Sequence, residues 1–167
     1  GVIVVAALAA LVLGVLVGGR LGDTLLRRRF LNGRVFVAAV ASAIAAGAFI
    51  PALATHHPLH ALPYLMLAAF GLSAQNPPLN AARLDIMPAP LWGRAEGIRT
   101  FLRTGAQALA PMLFGVISDV VFGGGPHALR WTFLVMLVPL AASAFYLFRA
   151  LRTYPRDVAT AAAFHVR

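Results

Sequence analysis

The segment GGRLGDTLLRRR, residues 18–29, places one carboxylate and four arginines between two long apolar runs. Residues 1–17 are all apolar or small, and a second apolar run begins at Val35. About 20 apolar residues are enough for a helix to cross the hydrocarbon of a bilayer. The segment is therefore typical of a short polar connection between two membrane-spanning helices.

The composition supports this interpretation. Of the 167 residues, 60% are hydrophobic and 11% are charged, whereas a soluble domain has about 25% charged residues. The apolar runs are rich in Ala, Gly and Leu and do not alternate, which favours helices that pack through small residues over barrel strands. We therefore predict an all-α membrane protein that has the lipid bilayer as one of its partners.

Five apolar stretches are long enough to span a membrane, so we expect about five transmembrane helices followed by a cytoplasmic tail at residues 153–167. The predicted spans are residues 1–19, 35–54, 59–80, 97–122 and 131–151. The net charge of +9 does not predict nucleic-acid binding, because the arginines lie between apolar runs and form no continuous basic stripe. The chain has no cysteine, which excludes disulfides and Cys-ligated zinc.

The arginines predict an orientation, since cytoplasmic loops carry an excess of basic residues. Arginines are numerous in the first connection, around the third connection and near the carboxyl end, whereas the other two connections hold only Arg130. The prediction is a cell (inner or plasma) membrane location, with the carboxyl terminus cytoplasmic and the amino-terminal end extracytoplasmic. An odd number of helices and an abrupt apolar start favour a fragment of a longer protein.

The opening segment contains the pattern G-x-L-x-D-x-x-x-R-R, formed by Gly19, Leu21, Asp23, Arg27 and Arg28. It resembles the loop signature of the major facilitator superfamily (MFS) of secondary transporters, G-x-L-A-D-R-x-G-R-R. Thr24 and Leu26 depart from that signature, which suits its degenerate second copy between helices 8 and 9. The resemblance implies helices 8–12 of an MFS-type bundle, with the amino-terminal half of the same transporter missing.

By the same resemblance, Asp23 is a gating residue that contacts a helix of the other half and releases it when the two halves rock. A purely topological loop, whose arginines contact anionic lipid headgroups, is the alternative. Glu96, Arg99 and Arg103 lie at the entry of the fourth span and form a candidate charge network at the inner gate. The alternative for these arginines is that they extend to the membrane interface.

Six residues are candidates for lining a cavity, because polar groups in a membrane helix face protein or water. Thr104, Gln107 and Phe114 share one face of the fourth span, whereas Gln75 and Asn76 precede two prolines and Tyr64 lies on the same predicted span as they do. The alternatives are a packing helix for the fourth span and a plain proline kink for the third. His56, His57 and His60 predict a solvated loop and no metal site.

The expected function is secondary active transport of a small solute by alternating access. The coupling partner, protons or another ion, is left open by the sequence. The sequence predicts a neutral or amphipathic substrate and does not specify it further. The alternative is a small standalone membrane protein that acts as an assembly partner or scaffold. Because the sequence has no paired carboxylates, HExxH or GxSxG motif, we predict neither an enzyme nor a cofactor.

Overall fold

The computed structural model describes residues 2–55 and 57–164. His56 and the last three residues of the predicted tail lie outside this range, as does Gly1. Every regular element of the described residues is helical. The seven α-helices are α1 (Val2–Arg27), α2 (Gly33–Ala54), α3 (Pro58–Ala74), α4 (Asn76–Asp85), α5 (Trp92–Val116), α6 (Pro126–Ala150) and α7 (Tyr154–Phe164). A 3₁₀ turn, Ala89–Leu91, precedes α5, and a π-helical turn, Ile117–Val121, follows it.

Four helical segments of the described chain are long and apolar enough to cross a membrane: Val4–Arg27, Gly33–Ala54, Ala89–Val121 and His127–Ala150. They correspond to the first, second, fourth and fifth predicted spans. The chain is thus an all-helical protein whose composition is compatible with several passes through a membrane.

The predicted third span, residues 59–80, is divided at Gln75 into α3 and α4. The cause is the pair Pro77 and Pro78, which have no N–H to donate to the carbonyls of Ser73 and Ala74. Hydrogen bonds from Gln75 to Gly71 and from Leu79 to Gln75 hold the backbone on both sides of the interruption. The prolines therefore interrupt the predicted span, and α3 on its own has only 17 residues.

The first connection is shorter than the sequence suggested, because α1 continues through residues 18–27. Most of the G-x-L-x-D pattern therefore lies on helical turns, and only residues 28–32 connect α1 to α2. No proline interrupts this segment, and its Leu and Arg residues are good helix formers. Within this connection Arg29 has the left-handed conformation, with φ of 63°. Phe30 donates to the carbonyl of Leu25, which closes the helix in a Schellman motif.

Helices α1, α2 and α3 pack closely because small residues lie where they cross. A Cβ atom on Gly18 would collide with the backbone of Ala74, and one on Gly71 would lie 2.7 Å from the carbonyl oxygen of Ala41. The buried core of α2 is made largely of alanines, among which Ala38 and Ala39 are fully buried. Contacts of this kind bring helix backbones together where the surrounding solvent is as apolar as the side chains.

Helix α5 is held at its two ends and is exposed between them. Residues 101–113 are all exposed. At one end Phe114 packs edge-to-face on Phe133 of α6, with the ring centroids 4.9 Å apart. At the other end Glu96 forms an ion pair with Arg83 of α4. A long central part of α5 therefore presents both faces to its surroundings.

Candidate functional site

The acidic residue of the opening motif belongs to a charge network that joins three helices. Arg34, at the start of α2, donates from Nη1 to both carboxylate oxygens of Asp85, at 2.8 and 2.7 Å. Its Nη2 donates to Asp23 of α1 at 3.1 Å. The Arg34 side chain is only 19% exposed, whereas the Asp23 side chain is 61% exposed. Arg34 is therefore the less exposed centre of the network, and Asp23 is its accessible outer member.

Helix α7 is joined to the same network by a tyrosine. The Tyr154 hydroxyl donates to Oδ2 of Asp85 at 2.8 Å, and the Tyr154 residue is 6% exposed. Burial, together with the hydrogen bond to Asp85, raises the pKa of the Tyr154 phenol well above its ordinary value. Asp85 thus accepts hydrogen bonds from both Arg34 and Tyr154, which satisfies a carboxylate that is 31% exposed.

A second contact joins the α1–α2 connection to the end of α6. The side-chain amide of Asn32 donates to the carbonyl of Leu151 at 3.0 Å. The network and this contact bring the α1–α2 connection, the end of α4 and the start of α7 together at one end of the bundle. We refer to this as the arginine-rich end, since Arg27, Arg28 and Arg29 lie there too.

A separate cluster at the start of α5 contains two of the three predicted inner-gate residues. Glu96 pairs with Arg83 of α4 and, through Oε1, with Nη2 of Arg99 at 2.5 Å. Thr100 also contacts Glu96 at 3.4 Å. Arg103 is exposed and forms no ion pair within the described part of the chain. The cluster therefore ties α5 to α4 through Arg83, which the sequence did not indicate.

The other residues of the opening motif lie near Asp23 in the chain but do not join its network. Gly19 lies against Pro77, since a Cβ atom added to Gly19 would be 3.6 Å from the Cβ of Pro77. Leu21 is half-exposed. Arg27 and Arg28 are exposed, and neither forms an ion pair among residues 2–55 and 57–164. The partner that Asp23 has here is Arg34, eleven residues further along the same chain.

The six candidate cavity residues are not brought together around one space. Gln75 bonds through its side chain to Ser42 inside the bundle, and Asn76 donates to the carbonyl of Leu72 at 2.9 Å. Thr104 and Gln107 lie on the exposed middle of α5, and Phe114 packs on α6. Tyr64 is 41% exposed on α3. These residues would need a further element to enclose a common cavity.

One cavity does lie at the arginine-rich end, between α2, α4, α5, α6 and α7. It has a volume of about 330 Å³. Its polar lining includes Asn76, Asn80, Arg83, Arg99 and Tyr154. Among these, Nη1 of Arg83 is buried without a hydrogen-bond partner. The cavity thus connects the two charge clusters through a mixed polar and apolar space.

The central residues of the network, Arg34, Asp85 and Tyr154, were missed by the sequence reasoning. A signal was present, because the chain has only five acidic residues and all except Asp119 lie at or near the predicted cytoplasmic ends of the spans. An isolated carboxylate beside an apolar span needs a cationic partner. Spacing along the chain could not identify that partner, since Arg34 and Asp85 are 51 residues apart.

The arrangement is suited to reversible contacts between helices. It holds arginines, carboxylates and a phenol in direct contact, and its exposed member can be approached from outside. Within the described residues there is no group of three or more His, Cys, Asp or Glu side chains that could hold a metal ion. Comparison with known proteins adds no relative: no family model, curated protein or solved structure matches the chain.

Proposed function

We propose that the chain is part of an MFS-type secondary transporter and that the Asp23–Arg34–Asp85 network acts as a latch on one side of the membrane. The observation that carries the proposal is the position of Asp23. The residue that the pattern singles out lies at the accessible edge of a network that joins α1, α2, α4 and α7. A contact of this kind can be made in one conformation and released in another.

The geometry suits a latch because the network has a fixed and a releasable side. Arg34 donates two hydrogen bonds to Asp85 and is mostly buried, so that pair holds the arginine in place. The Asp23 contact is single, longer and exposed, and exposed ion pairs contribute about 0–1 kcal/mol. Asp23 can therefore exchange Arg34 for a positive group or helix end on another bundle at little cost.

The uncovered middle of α5 supports the same proposal. Arg103, Thr104 and Gln107 lie there on one helical face and are exposed. Polar groups on a membrane helix are expensive unless protein or a water-filled path covers them. A second helical bundle, packed beside α5, would cover this face and enclose a path for a solute at the interface.

In the proposed cycle, the two bundles rock about a binding site near the middle of the membrane. Thr104, Gln107 and Tyr64 would supply hydrogen bonds to a neutral or amphipathic solute. The Glu96 cluster would hold the start of α5 to α4 while the bundles move. The arginine-rich end would face the cytoplasm, in agreement with the excess of basic residues there.

The test is transport in cells that express the protein, measured with a panel of labelled neutral and amphipathic solutes. We expect Asp23→Asn to lower transport of the solute that the unaltered protein moves, while the amount of protein in the membrane stays the same. Asp157→Asn is the matched control, because it removes an exposed carboxylate at the same end of the bundle. Undiminished transport by Asp23→Asn would remove the latch and leave the motif a topological connection.

The exposed middle of α5 also favours a second candidate, a membrane scaffold that binds a partner helix without transporting a solute. The two functions differ in conformational exchange. The chain has no cysteine, so single cysteines at Ile98, near the start of α5, and at Val120, in the π-helical turn that follows α5, can be labelled without background. Transport predicts that Asp23→Asn changes the labelling of these two sites in opposite directions, whereas a scaffold predicts no change at either site.

A further inference from the structure

An apolar groove on the outer surface of α1, α2 and α3 lies beside the arginine-rich end. It has a volume of about 270 Å³ and is lined only by Val, Leu, Ile, Phe, Ala and Gly residues. An apolar cavity of about 150 Å³ is already large enough to bind benzene. The groove is thus large enough for a hydrocarbon group.

Two glycines form part of the groove wall, Gly18 of α1 and Gly71 of α3. Neither position can carry a Cβ without a collision with a neighbouring backbone. The groove therefore lies directly beside the close crossings of α1, α2 and α3.

The groove opens sideways from the helices. Leu21, Phe36 and Ile44 line it and are between 39% and 50% exposed. All three lie on helical segments that are long and apolar enough to cross a membrane. In a bilayer, the surroundings of such a surface are acyl chains, which match the chemistry of the walls.

The positive charge of Arg28 lies next to the groove, at the arginine-rich end. Leu21, Leu25 and Arg28 are spaced by four and three residues, and the bond from the Arg28 N–H to the Thr24 carbonyl keeps this turn helical. Arg28 therefore lies on the same face of α1 as the two leucines of the groove. It is exposed and has no ion pair within the described residues.

We propose that this groove binds one acyl chain of an anionic phospholipid whose phosphate is held by Arg28. The chain would lie against Leu21, Leu25 and Phe36, and Arg29 would add a second positive charge to the headgroup. Arg34 cannot fill this role, since its guanidinium is occupied by Asp85 and Asp23. The binding does not depend on transport and would be present in a scaffold as well.

The test is lipid retention by the purified protein after reconstitution into vesicles of phosphatidylglycerol and phosphatidylcholine in equal parts. Native mass spectrometry counts the lipids of each class that stay bound in detergent. We expect Arg28→Gln to lower the preference for phosphatidylglycerol by about fivefold, the effect of one arginine at a membrane surface. Arg27→Gln is the matched control, because Arg27 lies on another face of α1, and it should keep the preference. An equal loss in both variants would mean diffuse attraction and would overturn the proposal.

The acyl chain is tested separately by filling the groove. Val40→Phe places a ring in it, and Ile44→Phe does so at a more exposed position in case the first variant folds poorly. Both should lower retention of the two lipid classes, and unchanged retention in both would contradict the groove as the binding site. A Leu21→Cys variant that forms a disulfide with a second copy would place protein there, which would also overturn the proposal.

Discussion

Arg34 donates to both carboxylate oxygens of Asp85, at 2.8 and 2.7 Å, and so joins the start of α2 to the end of α4. The pair is partly buried, and each partner has a second contact, Asp23 for Arg34 and Tyr154 for Asp85. Removal of either charge leaves the other without its main partner. The Arg34–Asp85 contact should therefore contribute more to stability than the Arg34–Asp23 contact, in which Asp23 is exposed.

The first prediction compares the two carboxylates. Asp85→Asn should lower the free energy of unfolding by about 2 kcal/mol, because it leaves the mostly buried Arg34 charge without a bidentate partner. Asp23→Asn should cost less than about 1 kcal/mol, since Asp23 is exposed. Thermal unfolding in detergent micelles measures both. Equal losses of stability would mean that the two contacts are equivalent, which would contradict a fixed and a releasable side.

The second prediction concerns Tyr154. Tyr154→Phe removes its hydrogen bond to Asp85 and should loosen α7, seen as faster motion of a spin label at Ala159→Cys. Tyr146→Phe is the control, because the Tyr146 side chain is 67% exposed on α6. If the label moves equally in both variants, the tyrosine does not hold α7 and the helix is retained by apolar contacts alone.

The same tyrosine predicts a dependence on pH. The pKa of Tyr154 is raised, so the neutral phenol that donates to Asp85 is favoured by folding. Its stabilisation is fully present below the ordinary tyrosine pKa of about 10 and is lost as the pH rises through the raised value. Motion of the Ala159 label should therefore stay constant up to about pH 10 and increase above it. The Tyr154→Phe variant should lack this increase.

The fourth prediction concerns the close crossing of α1 and α3. Gly18→Ala should lower stability by about 1–3 kcal/mol, because the new Cβ meets the backbone of Ala74 and cannot be accommodated by a side-chain rotation. Gly47→Ala has open space and lies inside α2, so it should raise stability by about 0.5–1 kcal/mol. Thermal unfolding of both variants measures these changes. If Gly18→Ala does not lower stability, α1 and α3 are further apart than the structure shows.

The length and composition of the apolar runs predicted five spans, and four of them correspond to helices that are long and apolar enough to cross a membrane. The predicted span at residues 59–80 is interrupted at Gln75, where Pro77 and Pro78 remove two helical hydrogen bonds. The extent of α1 was not predictable in the same way. Arg20 and Asp23 end the apolar run, but polar residues are tolerated on a helix that continues beyond the apolar zone. Helix α7 was missed because it has only 11 residues and its first residue, Tyr154, is bonded to Asp85, a residue 69 positions away in the chain.

The site was predicted only in part, for a physical reason. Asp23 and Glu96 could be selected because carboxylates are rare in this chain. Their partners Arg34 and Arg83 are determined by how α1, α2, α4 and α5 pack, which spacing along the chain does not give. The face of α5 with Thr104 and Gln107 was identified from helical spacing, whereas what covers that face does not follow from the spacing.

The last prediction concerns Arg29, the residue with a left-handed backbone that ends α1. Its φ of 63° costs a residue with a Cβ about 1–2 kcal/mol relative to glycine, which is the usual residue at this position of a Schellman motif. Arg29→Gly should therefore raise the thermal unfolding temperature. Arg28→Gly is the matched control and should lower it, because Arg28 still donates to the Thr24 carbonyl as a helical residue, where glycine is unfavourable. If both variants lower stability, the left-handed conformation is not a source of strain, and the Arg29 side chain stabilises the end of α1 through its own contacts.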